Sequence, residues 1–174
     1  MTLATPNADV AATEFSSAQF RQALGHFATG VTVVTACGPD GQRAGLTVNS
    51  FSSVSLEPPL VLWSLGRSSS SMAVFAAASH QVIHVLGADQ QALAERFAGP
   101  RERRWLDLAH GWSGGGAPLL AGCAAVFECQ SLTQHAAGDH VVFIAQVTHC
   151  TSDGARAPLV YHGSRFHTGL TGAP

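Results

Sequence analysis

The chain contains no lysine: all nine of its basic residues are arginines. Schiff-base and P-loop chemistry, which both need a lysine ammonium, are therefore excluded. Charge of either sign is scarce, at 11% of 174 residues, less than half of the roughly 25% of an ordinary globular chain. With 46% hydrophobic residues, that rules out a disordered polyelectrolyte. It also leaves apolar surface thinly covered, which favours self-association. The formal net charge is −2 and the pI about 6.5, so no general attraction to nucleic acid or anionic lipid is expected. No apolar run reaches the roughly 18–20 residues of a membrane span. The four cysteines, Cys37, Cys123, Cys129 and Cys150, form no C-x-x-C pair, which removes zinc-ribbon and thioredoxin motifs. No G-x-G-x-x-G follows a strand and no G-x-S-x-G elbow exists, so a Rossmann sheet and a hydrolase triad lack their marks. Residues 1–14 show neither a basic start nor an apolar stretch. They read as a flexible tail rather than a secretory leader, and a reducing cytoplasm is the expected compartment.

What is present is mostly β. Ser16 or Ser17 caps an expected helix to about Gly25, with Phe20, Leu24 and Phe27 at helical spacing. The β-branched run Val31–Thr35 and a strand over about 42–48 flank Pro39-Asp40-Gly41, a turn by proline and glycine geometry. Further strands are expected around 51–56, 60–63 and 81–86, with two long ones at 121–133 and 140–151 and a last near 159–161. Short helices are expected over 72–78 and 89–97, the second capped by Asp89. Residues 99–118 read as loop. Many short antiparallel strands with few helices indicate a mainly β fold, an antiparallel Greek-key barrel. One domain, 15–174, is expected behind the tail.

Two segments carry candidate chemistry. Residues 45–55 place Thr47, Asn49, Ser50, Ser52 and Ser53 in a β-prone stretch. Hydroxyl, amide and main-chain N–H groups of this kind can hydrogen-bond the edge of a flat heteroaromatic ring; an edge strand with a polar face is the ordinary alternative. Gly66-Arg67-Ser68-Ser69-Ser70-Ser71 offers hydroxyls, loop amides and one cation, the groups a phosphate needs, although a solvated loop has the same composition. Together they suit a phosphorylated aromatic cofactor better than either does alone. His140, after Gly138-Asp139 at the mouth of a long strand, can touch a ligand. His80 and His84 are four apart in a strand, too distant to share a metal ion, and no metal site is expected. Arg101-Glu102-Arg103-Arg104 reads as a solvated helix face, with contact to a phosphate-bearing ligand as the minority reading.

The ordered segments Phe20–Thr35, Gly45–Leu56 with Pro58–Leu62, Gln90–Gly99, Pro118–Leu120, Gly138–His140 and Pro158–Gly163 resemble the flavin reductase family over about residues 18–168. These are the NAD(P)H-dependent reductase components of two-component flavin monooxygenases. The resemblance implies an FMN-binding split barrel, usually a homodimer, in which hydride passes from NADH or NADPH to FMN or FAD and reduced flavin goes on to a separate oxygenase. By position it implies that Thr47, Val48, Asn49 and Ser50 meet the isoalloxazine, with Ser52 and Ser53 close by. Ser64, Arg67, Ser68, Ser69, Ser70 and Ser71 would hold the ribityl phosphate, and Phe97 would lie near the flavin. His140, the candidate catalytic residue, would meet the nicotinamide nucleotide, with Tyr161 and Arg165. FMN is preferred over FAD. Two departures stand out: His84 where many relatives have asparagine, and Ala145-Gln146 where many have glycine and glutamate. The rival expectations are a flavin- or haem-binding carrier of the same barrel without turnover, and an oxidase of the pyridoxine-phosphate type that keeps FMN tightly bound.

Overall fold

The computed structural model describes residues 14–168; the expected tail lies outside them but for its last residue. The chain runs α1 (Ser17–Leu24), β1 (Thr29–Gly30), β2 (Thr32–Cys37), β3 (Arg43–Val48), β4 (Ser52–Leu56), β5 (Pro59–Gly66), α2 (Met72–Ala77) and β6 (His80–Val85). A 3-10 turn (Ala88–Gln90), α3 (Gln91–Ala98), α4 (Arg101–Arg104) and the short strands β7 (Gly111–Trp112) and β8 (Pro118–Leu119) follow. The last elements are β9 (Ala125–Ala137), β10 (His140–Ser152), β11 (Val160–His162) and β12 (Arg165–His167). The region 99–118, expected as loop, thus carries α4 and the β7–β8 pair.

Seven strands form one antiparallel sheet in the order β3-β2-β6-β9-β10-β5-β4. Its two edges, β3 and β4, are joined by Asn49-Ser50-Phe51 alone. In a flat sheet six spacings of about 4.8 Å would part them by roughly 29 Å. The four Cα steps from Val48 to Ser52 reach at most about 14 Å. The sheet must therefore roll until its edges meet, and it does so as the expected mainly β split barrel. Ser50 fastens the seam: Ser64 N–H donates to its Oγ at 2.9 Å, and its hydroxyl donates back to Ser64 O at 3.3 Å.

The core occupies both faces of β2. Val34 and Ala36 face the barrel interior with Trp63, Phe75, Ile83 and Phe143. Val31 and Val33 face a second cluster with Leu86, Ala94, Phe97, Leu120 and Leu159, beneath α3. Being buried on both sides is why this strand reads as an unbroken β-branched run. In the barrel Trp63 stacks on Phe143 with centroids 4.6 Å apart, and its indole N–H donates to Gln81 Oε1 at 2.7 Å.

Two caps differ in outcome. Ser16 caps α1 through a reciprocal box, accepting from Gln19 N–H at 3.2 Å while Gln19 Oε1 accepts from Ser16 N–H at 2.8 Å. Asp89 does not cap α3. Both of its oxygens take Arg156 Nη1 at 2.8 Å, and Gln90 Oε1 accepts Gly87 N–H at 2.9 Å instead. A charge-assisted pair to a distant arginine outcompetes the local amide. None of the residues of α1 is buried; Phe20, Leu24 and, just beyond, Phe27 are exposed.

Candidate functional site

The chain leaves the sheet between Val48 and Ser52, and the site forms there. Two cavities of about 280 Å³ each open at the end of β3 and share Thr47, Val48 and Asn49 as a wall. One, the more polar, is completed by Leu46, Ser50, Ser64, Leu65, Gly66 and His140. The other is apolar, completed by Val31, Ala98, Tyr161 and Phe166. Asn49 is exposed, and its side-chain amide hydrogen-bonds no other group among the described residues. It stands free where the cavities meet, with both donor and acceptor available to a ligand.

His140 opens β10, paired with Gly66 of β5 and Ala137 of β9. Its Nδ1 lies 2.7 Å from Asp139 Oδ1. A carboxylate only accepts, so Nδ1 carries the hydrogen and Nε2 is left for the cavity. The same hydrogen bond and the imidazole charge hold the Asp139 carboxyl below its ordinary range.

The remaining expected residues divide. Thr47 lines both cavities, but its hydroxyl is committed, donating to Ala94 O at 2.6 Å and tying β3 to α3. Ser52 and Ser53 are exposed on edge strand β4 and line neither cavity; Ser52 donates to Ser53 O. Ser71 is 1% exposed and accepts from Arg104 Nη1 at 3.4 Å, so it is not free for a ligand. Ser69 Oγ accepts from Ser71 N–H at 3.3 Å. Arg67, Ser68 and Ser70 are exposed directly after the cavity residue Gly66.

Phe97 lines neither cavity and is fully buried. It packs edge-on to Trp105, and a Cβ on Gly45 would lie 2.5 Å from its ring. Its part is to buttress β3 from behind. Tyr161 lines the apolar cavity, its ring 5.3 Å from that of Phe166. Arg165 is exposed at the start of β12 and lines neither cavity. Ala145, one of the two departures, is a fully buried core residue rather than a neighbour of the site. Phe166, Ala98, Leu46 and Leu65 are cavity residues that sequence reasoning missed. Each is an apolar residue in a β-prone or helical run, with no local mark to separate it from core.

Other chemistry is disfavoured by the surroundings. Burial pushes the Cys123 thiol up to about 11 and that of Cys129 up to about 12, so neither is a ready nucleophile. Both ring nitrogens of His84 are taken, Nδ1 by Val33 O and Nε2 by Leu120 N–H, each at 3.0 Å, and no lone pair is left for a metal ion.

Residues 24–170 match the model of the flavin reductase like domain. The chain belongs to the flavin reductase family. It is 47% identical to the FMN reductase (NADH) SmoA of Agrobacterium fabrum over 87% of this chain and 85% of that one. It is 41% identical to the reductase component of the flavin-dependent trigonelline monooxygenase of Acinetobacter baylyi, over 85% of this chain but only 48% of that longer protein. The solved NADH:FAD oxidoreductase SgcE6 of Streptomyces globisporus, in complex with NAD and FAD fragments, superposes with a TM-score of 0.84 at 35% identity, covering 90% of this chain and 94% of that one. The polar cavity of this flavin reductase fits an isoalloxazine in kind. Leu46 and Leu65 suit its hydrocarbon ring, while the Asn49 amide and the Ser64 hydroxyl suit its heteroatom edge.

Proposed function

We propose that the polar cavity takes the flavin and that His140 meets the pyridine nucleotide. The chain is an NAD(P)H:flavin oxidoreductase, with FMN as the preferred flavin and FAD as the alternative. The observation that carries this reading is the free Asn49 amide on the wall between two cavities, with His140 over one of them.

Bound flavin supplies the redox chemistry by accepting a hydride from the nicotinamide. The chain's own residues bind and align. Asn49 and Ser64 hydrogen-bond the heteroatom edge, favouring the negative charge that gathers there on reduction. Asp139 fixes the His140 ring so that Nε2 faces the nucleotide. Tyr161 and Phe166 wall the neighbouring cavity with apolar rings. Ser50 and Phe97 hold the seam in place. No general base is required, which agrees with a site that has neither a paired carboxylate nor an activated thiol.

Reduced flavin passes to a separate monooxygenase, as the reductase-component relative suggests. The working form is a homodimer. Support comes from α1, which exposes Phe20 and Leu24, and from edge strand β4, which exposes Val54 and Leu56. Both present apolar surface that a second copy would cover. Four free cysteines suit a reducing cytoplasm.

The test is NADH oxidation under air, with and without micromolar free FMN. A rate that rises with FMN is expected of a reductase that uses flavin as a diffusible substrate. A rate of zero with NADH and NADPH, each paired with FMN and FAD, refutes the reading and leaves a carrier.

A further inference from the structure

The serine loop after β5 holds one cation of its own, Arg67, and the structure brings a second to it. Arg101 of α4 donates through Nη1 to Ser70 O at 3.3 Å. That bond uses one of the five N–H donors of a guanidinium. The approach is fixed by Arg104, one turn further along the same helix. Its Nε and Nη2 donate to Gly99 O at 3.0 and 2.9 Å, and its Nη1 to Gly45 O at 2.8 Å. Arg104 is thereby consumed by backbone carbonyls, while Arg101 keeps donors to spare beside the loop.

Among the described residues neither Arg67 nor Arg101 has a carboxylate partner. The ion pairs involve His140 with Asp139, and Arg156 with Asp89 and Asp153. Two unpaired guanidinia therefore flank the exposed serines Ser68 and Ser70, immediately beyond the cavity residues Ser64, Leu65 and Gly66. A bound dianion would engage their spare donors through charge-assisted hydrogen bonds. In a chain of net charge −2 with nine basic residues, this is an uneven use of positive charge.

We infer that Arg101 is a second phosphate-binding residue of the flavin site, acting with Arg67, Ser68 and Ser70 on the ribityl phosphate. It rests on the reading of the polar cavity given above. It makes the flavin phosphate, rather than the ring alone, a determinant of affinity. Riboflavin, which has the ring and no phosphate, is the discriminating probe.

The experiment measures FMN and riboflavin dissociation constants by quenching of flavin fluorescence, in wild type, R101A, R101K and R103A. Loss of one charge-assisted contact should raise the FMN constant of R101A about tenfold. Riboflavin binding and reduction should stay within about twofold, which also reports an intact fold. R101K should recover part of the loss, since it restores charge without the fork. R103A, exposed on the same helix, should match wild type. An FMN constant in R101A within about twofold of wild type, or equal weakening of FMN and riboflavin, overturns the assignment. A wild-type chain that binds neither flavin overturns the reading of the cavity itself.

Discussion

Acidification should destabilise this protein in part through His84. The side chain is fully buried where β6 faces β2, and its ring joins Val33 O to Leu120 N–H. Those two bonds need opposite roles, so the ring is neutral, with hydrogen on Nδ1 and a lone pair on Nε2. A second proton would oppose Nε2–H to an N–H donor in a dry site. Burial accordingly lowers the pKa from 6.5 to about 4. The unfolded chain takes up its proton near the ordinary value and the folded chain does not, so falling pH favours unfolding. Stability contributed by the neutral ring is complete above pH 6.5 and is lost as pH falls toward 4. A fall from 6.5 to about 4 amounts to about 3 kcal/mol by pH 4, and to about 2 kcal/mol between about pH 7.5 and pH 5. That is a large share of the roughly 5–15 kcal/mol by which domains are stable. The assay is urea unfolding at both pH values, followed by tryptophan fluorescence, at one protein concentration so that any dimerisation cancels. Other groups titrate in the same range, so the decisive quantity is a difference between proteins. H84N and H84Q keep a donor and an acceptor but cannot titrate. Each should lose about 1–2 kcal/mol at pH 7.5 through imperfect reach. Each should also show a pH dependence shallower than wild type by about 2 kcal/mol. If both variants lose as much stability as wild type on going to pH 5, the reasoning about His84 is wrong.

The site yields further expectations. H140A should raise the Michaelis constant for NADH and lower turnover, together by about tenfold or more in kcat/KM; unchanged values for both would remove His140 from the nucleotide site. D139N keeps an acceptor for Nδ1–H but loses the charge, and should fall between wild type and H140A in the same assay. G45A would drive a methyl to 2.5 Å from the Phe97 ring and 2.9 Å from that of Trp105. It should lower the urea midpoint by the equivalent of about 1–3 kcal/mol and weaken flavin binding with it; an unaltered midpoint would show that the α3 buttress is soft.

The strands were legible because their cause is local. Val31 to Thr35 is β-branched whichever face it buries, and Pro39-Asp40-Gly41 turns the chain by its own geometry. The barrel was legible in outline from its many short antiparallel strands, but that β3 and β4 are the two edges shows only in the strand order. What was not legible depends on partners distant in sequence. Asp89 reads as a helix cap until Arg156, across the fold, takes both of its oxygens. Residues 101–104 read as one solvated basic run, yet the fold spends Arg104 on the carbonyls of Gly45 and Gly99 and leaves Arg101 to the serine loop. Phe97 is instructive in another way. The resemblance places it near the flavin, and the fold buries it fully behind β3, one residue before the cavity residue Ala98.

The hydroxyls make the same point about function. Composition announces a polar stretch over residues 45–55 and a serine loop over 66–71, but it cannot say which hydroxyls the fold consumes. Thr47 is spent on Ala94 O, Ser50 on Ser64, Ser71 on Arg104, and Ser69 on Ser71 N–H. Those bonds close the seam, tie β3 to α3 and shape the loop, so they are the scaffold of the site. Among the groups left over are the Asn49 amide, the Ser64, Ser68 and Ser70 hydroxyls and the Arg67 and Arg101 guanidinia, and they follow the chain from the cavity into the loop. In the proposed assignment they meet a phosphorylated flavin, its polar ring edge at the cavity and its phosphate at the loop. The loop is exposed, so the proposed phosphate site lies in reach of solvent. That suits a flavin bound for one reduction and then released.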